Sequence, residues 1–351
     1  MNEEFAAPSP RANPDLIGHA AAEATLRQLV DSQRLPHALL LSGPRGIGKA
    51  TLAFRLARYV LTAGEGAAPD MFGGAATAPT EGLAVPPESG IFRRIAAGGH
   101  ADVLTVERAF DPRRKRVRSE IVVDDVREIA SFLHLTAAEG GWRIVVIDGA
   151  DAMNRNAANA LLKILEEPPR RALLLLVAHS PGRLLPTIRS RCQQIKLSPL
   201  SGASVRELLA HYCAQLEEAA AVAIIDLCEG SIGRALELAS SGGVELNRTI
   251  GSLLASGAKL DPLVMHAFAD KLARADAEES YRAVEELLRQ HLGRRAIAAA
   301  RAGRGDEAAC WARTRDEIGE EFSRADGLNL DRKQTILSAF FAIEQAVHAL
   351  V

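Results

Sequence analysis

Gly43-Pro-Arg-Gly-Ile-Gly48-Lys49-Ala50-Thr51 follows directly on an apolar run, Leu35-Pro-His-Ala-Leu-Leu-Leu-Ser42. A strand, a glycine loop and a helix in this order place backbone N–H groups around a phosphate at the helix N-terminus, with a lysine to meet the terminal phosphates. Gly43, Gly46, Gly48 and Lys49 occupy the positions this chemistry needs. The residue after the lysine should offer a hydroxyl to magnesium, and here it is Ala50. Thr51 lies about 100° further around the helix and cannot simply replace it. The loop is either a phosphate site that still holds nucleotide, with ATP the candidate cofactor, or a loop kept for its fold; both readings disfavour hydrolysis.

A carboxylate belongs to the same chemistry. Arg143-Ile-Val-Val-Ile-Asp148 is a β-branched run ending in an acid, which predicts a central strand of a parallel sheet with Asp148 at its mouth. Asn156 to Glu166 carries Ala157, Leu161, Ile164 and Leu165 on one helical face, and Glu167-Pro168-Pro169 stops that helix because proline cannot donate to its continuation. Leu173 to Val177 is a second buried strand, followed by Ala178-His179-Ser180-Pro181 and then by Pro186-Thr-Ile-Arg189-Ser-Arg191-Cys192. Strand, crossover helix and strand form half of a nucleotide-binding α/β layer.

Asp148 after its aliphatic run, Asn159-Ala-Leu-Leu-Lys163, Leu165-Glu-Glu-Pro-Pro169 and Ser190-Arg191-Cys192 together resemble the core of the AAA+ subunits of bacterial DNA polymerase III clamp loaders. The similarity covers most of the chain, and its elements are many, ordered and evenly placed. It implies a RecA-like AAA+ parallel-sheet domain, a small helical lid and an all-helical C-terminal collar domain. It implies that Arg191 is an arginine finger supplied in trans to a neighbour's ATP, where such a group meets charge developing on the γ-phosphate. An ATP-hydrolysing relative needs a glutamate after the strand-end acid, and here Gly149 stands there. A polar sensor of the γ-phosphate falls on Ser180 or His179. The stretch Cys228-Glu-Gly-Ser-Ile-Gly-Arg234 resembles the lid motif whose arginine reaches phosphate, so Arg234 joins the candidates on that resemblance. Pro14-Asp-Leu-Ile-Gly-His19 is either the turn beside the adenine or a plain domain entry.

The rest of the chain sets limits. At 351 residues two or three domains are expected, and with only 4% aromatics helix is favoured over a β-sandwich. No apolar run approaches the roughly 20 residues that span a bilayer, and Met1-Asn-Glu-Glu lacks a signal pattern, so the expectation is a soluble, cytoplasmic protein without a membrane partner. A formal charge of -2 argues against a surface built chiefly for nucleic acid. The run Asp111 to Arg118 is a basic hairpin or loop, either touching DNA phosphate or simply solvated. Cys192, Cys213, Cys228 and Cys310 form no Cys-x-x-Cys pair, which predicts reduced thiols and no bound zinc or other metal.

The expected division is an α/β domain over 1–198, a lid over 199–243 and a collar over 244–351. Within the first, 1–12 is expected as a loose tail and 62–99 as a flexible insertion where relatives carry a zinc module. The resemblance implies a non-motor subunit whose partners are the gamma/tau and delta subunits, the sliding clamp and, through the complex, primed DNA. The alternative is an ATP-hydrolysing motor subunit of the same loader, against which Ala50 and Gly149 both speak.

Overall fold

A computed structural model of the chain describes residues 8–64, 82–111, 116–138, 141–255 and 261–350. They form two compact units. The first runs to Tyr212 and takes in Glu229–Gly233; the second comprises Cys213–Cys228 and the chain from Arg234 onward.

The first unit contains α1 (Ala20–Asp31), β1 (Ala38–Ser42), α2 (Lys49–Gly64), α3 (Gly90–Ala96), β2 (Val103–Val106), the short strands β3 (Phe110–Asp111) and β4 (Arg116–Val117), α4 (Val123–His134), β5 (Arg143–Asp148), α5 (Arg155–Glu166), β6 (Ala172–Ala178), α6 (Pro186–Arg189), β7 (Gln193–Lys196) and α7 (Gly202–Tyr212). Five strands make one sheet in the order β2-β5-β6-β1-β7, every neighbouring pair parallel. The apolar runs of β1, β5 and β6 are continuous because both faces are covered. Leu39, Leu41, Val146 and Leu175 meet Leu52, Leu56 and Val60 of α2. Leu40, Val145, Ile147 and Leu176 meet Val126 and Ile129 of α4 and Leu161 and Leu165 of α5. The register aligns Ser42 with Ala178 and Asp148 with Val177, so three strands end together. The chain order reverses around β1, and the crevice at the strands' carboxyl ends is where such sheets hold ligands.

The second unit is helical: α8 (Glu218–Leu227), most of α9 (Ile232–Ser240), α10 (Gly243–Ala255), α11 (Pro262–Leu272), α12 (Glu278–Arg301), α13 (Gly305–Leu328) and α14 (Arg332–Leu350). Its core is aromatic as well as aliphatic, with Tyr281 and Phe322 ring centroids 5.1 Å apart and Phe268 and Phe340 6.0 Å apart. The α/β layer and the helical C-terminal part expected from the sequence are both present, and residues 199–243 are shared between the two units. No described helix is long and apolar enough to cross a membrane.

Two local expectations are corrected. The chain is tied down by Arg11, not loose to residue 12, because the buried Arg58 guanidinium of α2 donates to the Arg11 and Asn13 carbonyls at 2.9 and 3.0 Å. The expected insertion over 62–99 is narrower, since α2 continues to Gly64 and Leu83, Ile91, Phe92 and Ile95 are buried; few apolar residues suffice where each is well placed. Its remainder, 65–81, lies outside the described residues, as do 1–7 of the expected tail and 112–115 of the basic run. At the start of α4, Val122 precedes the first helical residue and offers no side-chain acceptor. An acid acts from the third helical position, Asp125 Oδ2 accepting from the Val122 N–H at 2.8 Å.

Candidate phosphate loop and exposed arginine

Gly43 leaves β1 with its N–H donating to the Ala178 carbonyl at 3.3 Å, which fixes the loop against the end of β6. At Gly46, φ is +72°, and a Cβ there would stand 2.4 Å from Ser231 Oγ. Its carbonyl accepts from the Gly233 N–H at 2.9 Å, so the turn Glu229–Gly233 closes over the loop. On the other side the His19 Nε2–H donates to the Ile47 carbonyl at 2.6 Å. Gly48 then leads into α2 at Lys49, which sets a helix N-terminus behind the glycines.

Lys49 is 3% exposed, and its ammonium donates to the Pro44 carbonyl of its own loop. Burial lowers its pKa to about 8; Asp148 and Asp151 favour its charge and Arg45 opposes it. Asp148, at the end of β5, has its pKa raised by burial and by Glu107, partly offset by Lys49, Arg108 and Arg45. Ala50 is half-buried, and Thr51 is buried on the inner side of α2. Gly149 adopts φ +78° and starts the turn that follows. The loop and Asp148 are thus brought together, while no hydroxyl follows the lysine and no glutamate follows the acid.

Asp151 is the group that sequence reasoning passed over. Its Oδ1 accepts from the His179 N–H at 3.1 Å and its Oδ2 from the Ser180 N–H at 2.8 Å, which pins the segment expected to sense phosphate. His179 is exposed as a residue, yet protein atoms crowd its imidazole. That desolvation, with Lys49, Arg45 and Arg108 nearby and Asp151 opposing, lowers its pKa to about 4, so the imidazole is neutral at pH 7. Ser180 is exposed. An acid three residues beyond Asp148 was the available signal, and its use depends on β6 ending beside β5.

Arg191 stands just past α6 with its side chain 37% exposed. Its root is fixed: Ile188 and Cys192 are buried in the core beneath α5, and Ser190 Oγ donates to the Thr187 carbonyl at 3.1 Å. The guanidinium pairs with Glu166 at 2.8 Å and donates to the Thr187 carbonyl at 3.1 Å. Arg234 belongs to the helical unit, where Glu286 at 3.3 Å and Gln290 at 2.9 Å hold its guanidinium. The residues of its motif that meet the phosphate loop are Ser231 and Gly233, which the sequence reading did not single out. All four cysteines are free thiols, and among the described residues no group of three or more His, Cys, Asp or Glu could hold a metal ion.

Residues 18–201 match the family described as DNA polymerase III, delta subunit. Over 182 residues the chain is 41% identical to the DNA polymerase III subunit delta' of Pseudomonas aeruginosa, covering 52% of this chain and 49% of that protein. Over 286 residues it is 28% identical to the DNA polymerase III subunit gamma/tau of Mycobacterium bovis, covering 80% of this chain and 46% of that one. The chain spans about half the length of the curated relatives it matches. Among solved structures, a DNA polymerase III gamma subunit-related protein of Thermotoga maritima is similar over 93% of this chain and 99% of its own, at 17% identity and a TM-score of 0.48. With more than half of its residues inside the matched region, the chain belongs to the DNA polymerase III delta-subunit family.

Proposed function

We propose that this chain is a non-motor AAA+ subunit of the clamp loader of a replicative DNA polymerase III. In this reading it works with gamma/tau and delta subunits, presents Arg191 in trans to a neighbour's bound ATP, and so helps place the sliding clamp on primed DNA. The observation that carries the reading is a contrast within one domain. The chain's own loop lacks the magnesium hydroxyl at Ala50 and the water-polarising carboxylate at Gly149, whereas Arg191 is exposed on a turn whose root is buried.

The phosphate cradle suits an anion better than it suits a metal-bound nucleotide. Gly43, Gly46, Gly48 and Lys49 supply backbone donors and one positive charge, and ATP or ADP could be held there with Ser180 as a further candidate. A magnesium shell would rest on Asp148 alone, a carboxylate whose ionised form burial already disfavours. We therefore assign no turnover to this site. The rival reading is a motor subunit, favoured by the gamma/tau relative whose match covers more of this chain than the delta' match does.

One experiment separates the two. In a loader reconstituted with Arg191→Ala, assembly should survive while turnover at the adjoining ATP site falls about 10³-fold, the smaller end of what an arginine finger supplies. The isolated chain should show no turnover. Unchanged hydrolysis by the loader would sink the finger, and steady hydrolysis by the isolated chain would favour the motor.

A further inference from the structure

Glu166 is the last residue of α5, a place where a carboxylate faces the negative end of the helix dipole and where Glu167 follows with a second negative charge. A carboxylate placed there needs another reason. Its Oε1 lies 2.8 Å from Arg191 Nη2, and the two side chains are 50% and 37% exposed. Pairs this exposed contribute little to stability. They do restrict the long side chains that form them, and arginine has most rotamer freedom to lose.

The second contact argues the same way. Arg191 Nη1 donates to the Thr187 carbonyl at 3.1 Å, which also accepts from Ser190 Oγ. One end of α5 and one turn of α6 thus hold the guanidinium from two sides. Both are anchored in the same core, through Leu161 and Leu165 on α5 and Ile188 and Cys192 around α6. A guanidinium carries five N–H donors, so two contacts leave enough for bidentate contact with a phosphate.

Resting on the trans-finger reading above, we infer that Glu166 is a positioning residue for Arg191: with the Thr187 carbonyl it holds the guanidinium preset for a neighbour's γ-phosphate. An oriented group acts without first losing rotamer freedom, and a displacement of about 1 Å can lower a rate by about 10²-fold. Glu166 touches neither phosphate nor water in this role. Its effect passes wholly through Arg191.

The test compares reconstituted loaders carrying this full chain as wild type, Glu166→Ala, Glu166→Gln, Arg191→Ala and the double variant. The loss with Arg191→Ala defines the turnover that the finger supplies. Glu166→Ala should lower that share about tenfold or more with KM for ATP unchanged, Glu166→Gln should lose less because it keeps an oxygen acceptor, and Glu166→Ala should add nothing to Arg191→Ala. A raised turnover with Glu166→Ala, no loss, or an equal loss in the Arg191→Ala background would overturn the positioning role. If Arg191→Ala itself changes nothing, the finger falls and Glu166 with it, an outcome distinct from a working finger that ignores Glu166.

Discussion

Lys49 has its ammonium buried against the Pro44 carbonyl, and its pKa of about 8 lies below the ordinary 10.5. Between those two values the unfolded chain binds a proton that the folded chain does not, so stability rises with pH across that window. Below about pH 8 the folded protein carries a charge that its surroundings disfavour. Lys49→Met should therefore raise the melting temperature at pH 7, with the gain shrinking as pH climbs from 8 towards 10.5. Loss of the countercharge to Asp148 offsets part of the gain without changing its trend. Thermal melts of both proteins at pH 7 and pH 9.5 check this; a difference that does not vary with pH would contradict it. The same loop retains a positive charge at Lys49, whereas Ala50 and Gly149 bring no side-chain oxygen to it.

At the scale of elements, Arg58 on α2 shows what a sequence hides. It is buried beside the Phe92 ring at 4.5 Å and, with no carboxylate partner among the described residues, clasps the carbonyls of Arg11 and Asn13, holding residues 11–13 as a strap; burial lowers its pKa to about 10. Arg55 adds a bond to the Pro14 carbonyl and an ion pair with the buried Glu23 at 2.6 Å. Strands β1, β5 and β6 were legible because burial on both faces leaves unbroken apolar runs, and α5 because Pro168-Pro169 ends it. The strap, the closure of Gly46 by Gly233 and the pinning of His179 and Ser180 by Asp151 were not legible. Each joins residues far apart in the chain through single polar atoms, and such pairings leave no local period to read. Arg58→Ala should free the strap and destabilise the fold by about 2–4 kcal/mol, given about 1.5–3 kcal/mol for a hydrogen bond to a charged group. Hydrogen exchange at the Asp15 amide, which donates to Asn13 Oδ1 at 2.8 Å, should quicken well beyond that of β6. Equal protection in both proteins would show that the strap is held otherwise.

For the whole molecule the deciding quantity is charge. Forty-two Lys and Arg residues face 44 Asp and Glu, a formal charge of -2 and a pI near 6.5, which gives DNA no broad field to follow. Many of the cations are also paired within the fold, as in Arg191 with Glu166, Arg282 with Glu278 and Arg248 with Glu245. The basic run that ends at Arg118 is the local exception in the sequence, and its β3–β4 part presents Phe110 and Val117 exposed. A short cationic stretch can neutralise only a few phosphates, and each contributes a slope of about -0.9 to the dependence of log affinity on log salt. The isolated chain should therefore bind primed DNA no more tightly than non-specific complexes do, with a Kd of about 10⁻⁴ to 10⁻⁶ M at physiological salt and a slope of only a few units. Fluorescence anisotropy over a salt series measures both. Submicromolar binding with a steep slope would mean that this chain grips DNA by itself, and would move the proposed role from a subunit acting through a neighbour's ATP to a DNA-binding AAA+ protein in its own right.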